Sequence, residues 1–105
     1  MPNVIKEFDS YKVEYISTKT DISLASISCF NGNEWVGLLQ FRESNSAVQE
    51  PSVVNGRIVL SFTIDRFSHV LDILRNEKPL QLYLNPSGKW GAVLTKDTEP
   101  VGEGE

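Results

Sequence analysis

The sequence predicts an α+β fold: a curved, mainly antiparallel sheet of five to seven strands packed on a single α-helix over about residues 64–75, with a C-terminal hairpin over about residues 80–95. Two observations predict it. Residues 11–63 contain several stretches in which apolar and polar residues alternate, as in strands with one buried face. From Ile64 to Leu74 the apolar spacing changes to that of an amphipathic helix.

Length and charge restrict the class of protein. A chain of 105 residues predicts one domain, residues 1–95, followed by a flexible acidic tail at residues 96–105. Fourteen Asp and Glu outnumber ten Lys and Arg, and the basic residues do not cluster. This balance argues against duplex DNA or an anionic lipid surface as the partner.

The single cysteine and the short apolar runs indicate a cytoplasmic protein. Cys29 has no second cysteine for an intramolecular disulfide, as is typical of a reducing compartment. The first residues lack the apolar core of a signal peptide, and every apolar run is far shorter than the ~20 residues of a membrane helix. We therefore expect no membrane partner.

Alternation and turn residues predict the strands in chain order. Residues 11–17 alternate as a half-buried strand, and Asn31-Gly32 predicts a type I′ hairpin between residues 22–30 and 34–42. After a polar connection, Asn55-Gly56 predicts a short hairpin leading into a strand at residues 57–63. Thr63 is a plausible N-cap for the helix that follows, and Pro79 lies beyond its end.

The first hairpin is apolar on both faces. A loop of Asn31-Gly32 would pair Phe30 with Asn33 and Ser28 with Trp35. One face then carries Ile22, Leu24, Phe30, Trp35, Leu39 and Phe41, and the other carries Ala25, Ile27, Val36 and Leu38. Because strands buried on one side alternate more cleanly than this, the hairpin is expected to need cover on both faces. Gly37 within the second strand indicates a bulge or a close backbone approach.

The C-terminal hairpin has two candidate registers. A three-residue loop with Gly88 in the left-handed conformation places Trp90, Ala92 and Leu94 on the face of Leu80, Leu82 and Leu84, and this register is preferred. A two-residue loop would instead set Trp90 opposite Tyr83 on the outer face. On the preferred registers both Trp35 and Trp90 are expected in the core.

Residues with catalytic or metal-binding chemistry are few. His69 and Cys29 are the only histidine and the only thiol, and neither lies in a motif of a nucleophile and its base. One His and one Cys cannot supply a zinc site, and the glycines form no phosphate-binding pattern. We therefore expect an exposed His69, an inert Cys29, no enzymatic activity, no metal and no cofactor.

The stretch RIVLSFTIDRFSHVLDILR, residues 57–75, resembles the last strand and following helix of a family of single-stranded nucleic-acid binders. These are the small transcriptional-coactivator, Whirly and PUR-type proteins, and the likeness extends over about residues 11–76. The resemblance implies dimerisation and nucleic-acid binding on a curved sheet. Carried over, it implicates Lys12, Tyr15, Lys19 and Arg42.

Together these observations predict a small non-enzymatic interaction or accessory module, which associates with itself or is a subunit of a larger complex. The two-sided apolar hairpin supplies the expected partner interface, Ala25, Ile27, Val36 and Leu38. The alternative is a single-stranded nucleic-acid binder that uses Lys12, Tyr15, Lys19 and Arg42.

Overall fold

The computed structural model describes residues 3–15, 24–43, 50–76 and 80–95. The described residues form eight strands: β1 (Val4–Phe8), β2 (Ser10–Tyr15), β3 (Ala25–Asn31), β4 (Glu34–Arg42), β5 (Ser52–Val54), β6 (Arg57–Thr63), β7 (Leu80–Asn85) and β8 (Trp90–Thr95). A single 3-10 turn, Ile64–Arg66, leads from β6 into helix α1, Phe67–Asn76. The predicted tail at residues 96–105 lies outside the described residues. None of the helices described is both long enough and apolar enough to cross a membrane.

The strands divide into two sheets. The large sheet has the order β2-β3-β4-β6-β5, and the small sheet has the order β1-β7-β8. All pairs are antiparallel except β4 with β6. The α+β class, the mainly antiparallel pairing, the helix and the C-terminal hairpin are therefore confirmed. The prediction of one curved sheet is corrected, because the C-terminal hairpin pairs with β1 and forms a sheet of its own.

Asp9 is the point at which the chain passes from one sheet to the other. It separates β1 in the small sheet from β2 in the large sheet. Its backbone N–H donates to Phe30 O at 2.9 Å, and its Oδ1 accepts from Gly32 N at 3.2 Å. Asp9 thus fixes the crossing to the tip of the β3–β4 hairpin. The sequence predicted no strand at β1.

The core lies on one face of the large sheet. Strand register aligns Cys29, Gly37 and Ile58 across three strands on this face. The next row on the same face consists of Ile27, Leu39 and Leu60. The small sheet and α1 both cover this inner face: Leu82 packs against Gly37, and the Phe67 ring meets the Phe41 ring edge-on at 5.0 Å. The buried apolar residues are Phe8, Ala25, Ile27, Cys29, Val36, Leu39, Phe41, Ile58, Leu60, Val70, Leu74, Leu80, Leu82 and Leu84. Each large side chain of this set contributes ~1.5–3 kcal/mol by leaving water.

A β-bulge corrects the predicted register of the first hairpin. Asn31 pairs with Glu34 and Phe30 with Trp35, but Cys29 pairs with Gly37, so Val36 is the extra residue. The loop is Gly32-Asn33, with a positive φ of +61° at Gly32, as in a type II′ turn. The predicted pairs Phe30–Asn33 and Ser28–Trp35 are therefore wrong. Because the bulge inverts the alternation, Trp35 faces away from Leu39 and Phe41.

The second Asn-Gly pair forms the predicted hairpin. Val54 of β5 pairs with Arg57 of β6 across Asn55 and Gly56. Both loop residues have a positive φ, 52° and 80°, which is the type I′ conformation that favours Asn-Gly.

The C-terminal hairpin adopts neither of the two predicted loops. Asn85 pairs with Trp90, so the loop has four residues, and Lys89 rather than Gly88 takes the left-handed conformation, with φ +61°. Asn85 Oδ1 accepts from Gly88 N at 2.8 Å and stabilises the turn. This register places Trp90 on the outer face beside Tyr83, with ring centroids 5.0 Å apart. Trp35 is 37% exposed and Trp90 is 49% exposed, so the expectation that both are core residues is wrong.

Gly37→Ala is expected to lower the free energy of unfolding by about 1–3 kcal/mol. A Cβ at residue 37 would overlap Leu82 Cδ1, and because Leu82 is fully buried its side chain must shift within the packed core. Urea unfolding of four proteins measures the effect: wild type, Gly37→Ala, Leu82→Ala and the double variant. Gly37→Ala should cost much less in the Leu82→Ala background, and an equal cost in both backgrounds would contradict this contact.

Candidate functional site

The outer face of the large sheet is the candidate functional site, and we call it the open face. The small sheet and α1 lie on the inner face, and no described strand or helix covers the opposite side. Strand register assigns to it five apolar side chains, namely Phe30, Trp35, Leu38, Val54 and Val59. They are half-buried or exposed and run across β3, β4, β6 and β5.

Trp35 is the largest side chain of the open face, and it lies on the middle strand β4 near the β3–β4 turn. Its ring stacks with Phe30 from β3, at 6.4 Å between centroids and 26° between planes. On the β6 side, the Arg57 guanidinium carbon lies 3.8 Å from the Trp35 ring centroid. Trp35 Nε1 donates to Gly37 O at 2.8 Å, which holds the indole against its own strand. The ring is therefore fixed on three sides before any partner arrives, so little side-chain entropy is lost on binding.

Charged and polar side chains surround the apolar ones. Lys12, Arg42 and Arg57 give the open face three cations, and Glu14 lies on the same face of β2. Ser26 Oγ donates to Glu14 Oε1 at 3.4 Å. The Arg57 Nε is buried and has no hydrogen-bond partner among the described residues, so stacking on Trp35 is what positions its guanidinium. The open face is thus apolar at the end near the β3–β4 and β5–β6 turns, and the row beyond Leu38 is polar, with Ser26, Gln40 and Ser61. It carries more cations than anions.

The four predicted interface residues do not share one surface. Ala25 and Ile27 are fully buried on the inner face, and Val36 is buried at the bulge. Leu38 alone lies on the open face, where it is half-buried between Ser28 and Val59. The predicted cover on both faces of the hairpin is present on the inner face only, among the described residues.

The residues implicated by the nucleic-acid resemblance also separate. Lys12 and Arg42 lie on the open face, on β2 and β4. Tyr15 faces the other way, 66% exposed, with its ring edge-on to Phe67 at 5.4 Å. Lys19 lies outside the described residues. Arg57, which the resemblance did not implicate, joins Lys12 and Arg42 on the same surface.

Cys29 and His69 are not arranged for nucleophilic catalysis. Cys29 is fully buried in the core, and His69 is an exposed residue of α1. Burial raises the pKa of the Cys29 thiol from 9.0 to about 12, so the reactive thiolate is absent at neutral pH. Within the described ranges, no group of three or more His, Cys, Asp and Glu is placed to hold a metal ion.

Sequence reasoning missed Phe30, Trp35, Val54 and Val59 as members of one surface. Alternation was sufficient for Val59, which lies between the inward-facing Ile58 and Leu60. Phe30 and Trp35 were placed with the core residues because the bulge between them and Gly37 leaves no mark in the alternation itself. Gly37 was the available signal, since a glycine within a strand often accompanies a bulge.

Comparison of the chain with protein-family models, with curated proteins and with solved structures finds no match.

The buried thiol of Cys29 predicts a pH effect on stability. In the unfolded chain the thiol ionises near pH 9, whereas in the folded protein it stays protonated up to about pH 12. The folded state therefore binds more protons in this window, and the contribution of Cys29 to stability falls as the pH rises from 9 to 12. Urea unfolding of wild type and Cys29→Ala measures it: the stability advantage of wild type should shrink between pH 8 and pH 10.5. A constant difference would contradict the burial of the thiol.

Proposed function

We propose that this protein is a small, non-enzymatic interaction module of the cytoplasm that binds a protein partner through the open face, either as a subunit of a larger complex or by self-association. The observation that carries the proposal is the half-exposed apolar row centred on Trp35, which no described element covers. Apolar surface that a chain leaves contiguous and open commonly marks a binding site.

The composition of the open face suits a protein partner. Buried aromatic and arginine side chains dominate binding energy at protein interfaces, and Trp35 and Arg57 are stacked together on this face. Leu38 and Val59 extend the apolar area along the two central strands. Lys12 and Arg42 lie on the same face and would favour an acidic or neutral partner surface.

A single-stranded nucleic acid is the second candidate partner. It is supported by the presence of three cations on the same sheet face as the stacked Phe30 and Trp35 rings. Bases stack on such rings, and phosphates bind such cations. The formal net charge of −4 and Glu14 on the same face oppose this candidate, so we rank it second.

Substitution of open-face residues should remove the partner without unfolding the protein. Affinity capture from a lysate of the source cells compares wild type with Trp35→Ala and Leu38→Lys, each verified by far-UV circular dichroism. Ile5→Ala is the control, because Ile5 is more exposed than Trp35 but lies on β1 of the small sheet, outside the open face. We expect loss of the captured protein with the first two variants and retention with Ile5→Ala. Equal capture by wild type and Leu38→Lys would overturn the proposal.

The nucleic-acid candidate makes a separate electrostatic prediction. If it is correct, fluorescence anisotropy will show binding of a single-stranded oligonucleotide that weakens steeply as salt is raised. Arg42→Glu and Lys12→Glu should then abolish binding, since each replaces a cation of the open face by an anion. Lys89→Glu is the control, because Lys89 lies in the loop before β8 and already pairs with Glu50 at 3.6 Å. No binding at low salt would exclude this candidate.

A further inference from the structure

The outer edge of β8 is a second surface with the features of an interaction site. Among the residues that the structure describes, β8 ends the small sheet and is paired on its β7 side only. The backbone hydrogen bonds from Asp9 N to Phe30 O and from Leu24 N to Phe41 O, which lie outside the regular helices and strands, are both remote from β8 in the chain. An edge of this kind presents a row of unpaired N–H and C=O groups to an incoming strand.

Among the sheet edges that the structure describes, β8 alone lacks the usual protection against pairing. β2 carries Lys12 and Glu14, β1 carries Lys6 and Glu7, and β5 has only three residues. By contrast, β8 has six residues, Trp90–Thr95, with no charge and no proline. Charges, prolines and short length are the devices by which natural edge strands avoid association. Their joint absence here marks β8 as an edge that accepts a strand.

The outer side of β8 is also apolar. Trp90 is 49% exposed and Leu94 is 37% exposed, and both share this side with Ala92 and with Tyr83 of β7. Leu60 and Pro51 approach Gly91 from the inner side, which faces the large sheet. A partner strand must therefore offer apolar side chains at alternate positions.

β8 itself meets this requirement. Two β8 strands can pair antiparallel about a two-fold axis perpendicular to the sheet. Directly opposed residues of the two strands must then point to the same side of the sheet. A pair centred on Ala92 places Ala92 opposite Ala92 of the second copy and Trp90 opposite Leu94 of the second copy. Trp90 of each copy then contacts Leu94 of the other across the strands, and the small Ala92 leaves space between the rings at the centre. The small sheet of each copy continues into that of the other.

We propose that two copies of this chain associate through antiparallel pairing of their β8 strands, in the register centred on Ala92. The inference rests on the proposed function, because it names a second copy as one partner, but it uses residues outside the open face. Stable interfaces bury ~800 Å² on each partner, and a six-residue edge with two half-exposed side chains offers much less. The association is therefore weak, with a dissociation constant on the order of 10–100 μM.

Cysteine cross-linking of the full chain tests the register. Ala92→Cys is expected to form an intermolecular disulfide under mild oxidation, because directly opposed Cα atoms in an antiparallel pair lie ~4.5–5.5 Å apart, within the disulfide range. Leu94→Cys is the matched control, since position 94 meets position 90 of the second copy and has no thiol there. The native Cys29 is buried and does not compete. Cross-linking of Leu94→Cys as efficient as that of Ala92→Cys, or none with Ala92→Cys, would overturn the proposal.

Charge exchange at the same position gives an independent readout. By sedimentation equilibrium up to about 500 μM, wild type should show a monomer–dimer equilibrium. Ala92→Lys and Ala92→Glu should each be monomeric, because like charges face each other, and their mixture should dimerise again. Dimerisation of either variant alone as strong as wild type, or a monomeric wild type throughout, refutes the β8 pair. A dimer that persists in Trp35→Ala and is lost in Ala92→Lys assigns the association to β8. A dimer that persists in Ala92→Lys and is lost in Trp35→Ala assigns it to the open face and refutes the β8 pair, so the two proposals fail separately.

Discussion

The close approach of the two sheets at Gly37 is the constraint on which the rest of this structure depends. Leu82 of the small sheet occupies the space that any side chain at position 37 would fill. A second such contact follows at Gly91, which admits Leu60 of the large sheet. Because each sheet places a leucine against a glycine of the other, the two sheets approach closely at both points. The inner face of the large sheet is thereby taken up by the molecule itself.

The consequence for binding follows from the neighbouring bulge. If Val36 were a regular strand residue instead of the extra residue of a bulge, strict alternation would turn Trp35 to the inner face together with Gly37 and Leu39. The bulge therefore supplies the open face with its largest ring. The same short stretch of β4 thus sets both the packing of the core and the chemistry of the opposite surface. A change in this stretch intended to alter binding will also alter the core, and effects on the two have to be separated by measuring stability.

Local signals in the sequence were sufficient for some elements and insufficient for others. The helix after Thr63 and the hairpin at Asn55-Gly56 depend on spacing and turn chemistry within a few residues, and both were predicted. The division into two sheets depends on β1 pairing with β7, a contact between distant parts of the chain that no local pattern encodes. The register of β8 depends on Lys89, which takes a left-handed conformation more often found at glycine. The open face was not predicted, because the alternation of apolar and polar residues does not reveal the bulge that turns Trp35 outward.

The pairing of β1 with β7 also has a bearing on how the chain reaches its folded state. Val4 pairs with Leu84, so the β1–β7 pairing closes a chain loop that contains nearly all the described residues. Loop closure of this length is entropically demanding and slows folding. All strands of the large sheet and helix α1 are synthesised before β7, whereas β1 has no partner strand until β7 has been synthesised. During that interval its apolar residues Val4, Ile5 and Phe8 have no partner strand, and the ribosome-bound chain is then most exposed to chaperones and to aggregation.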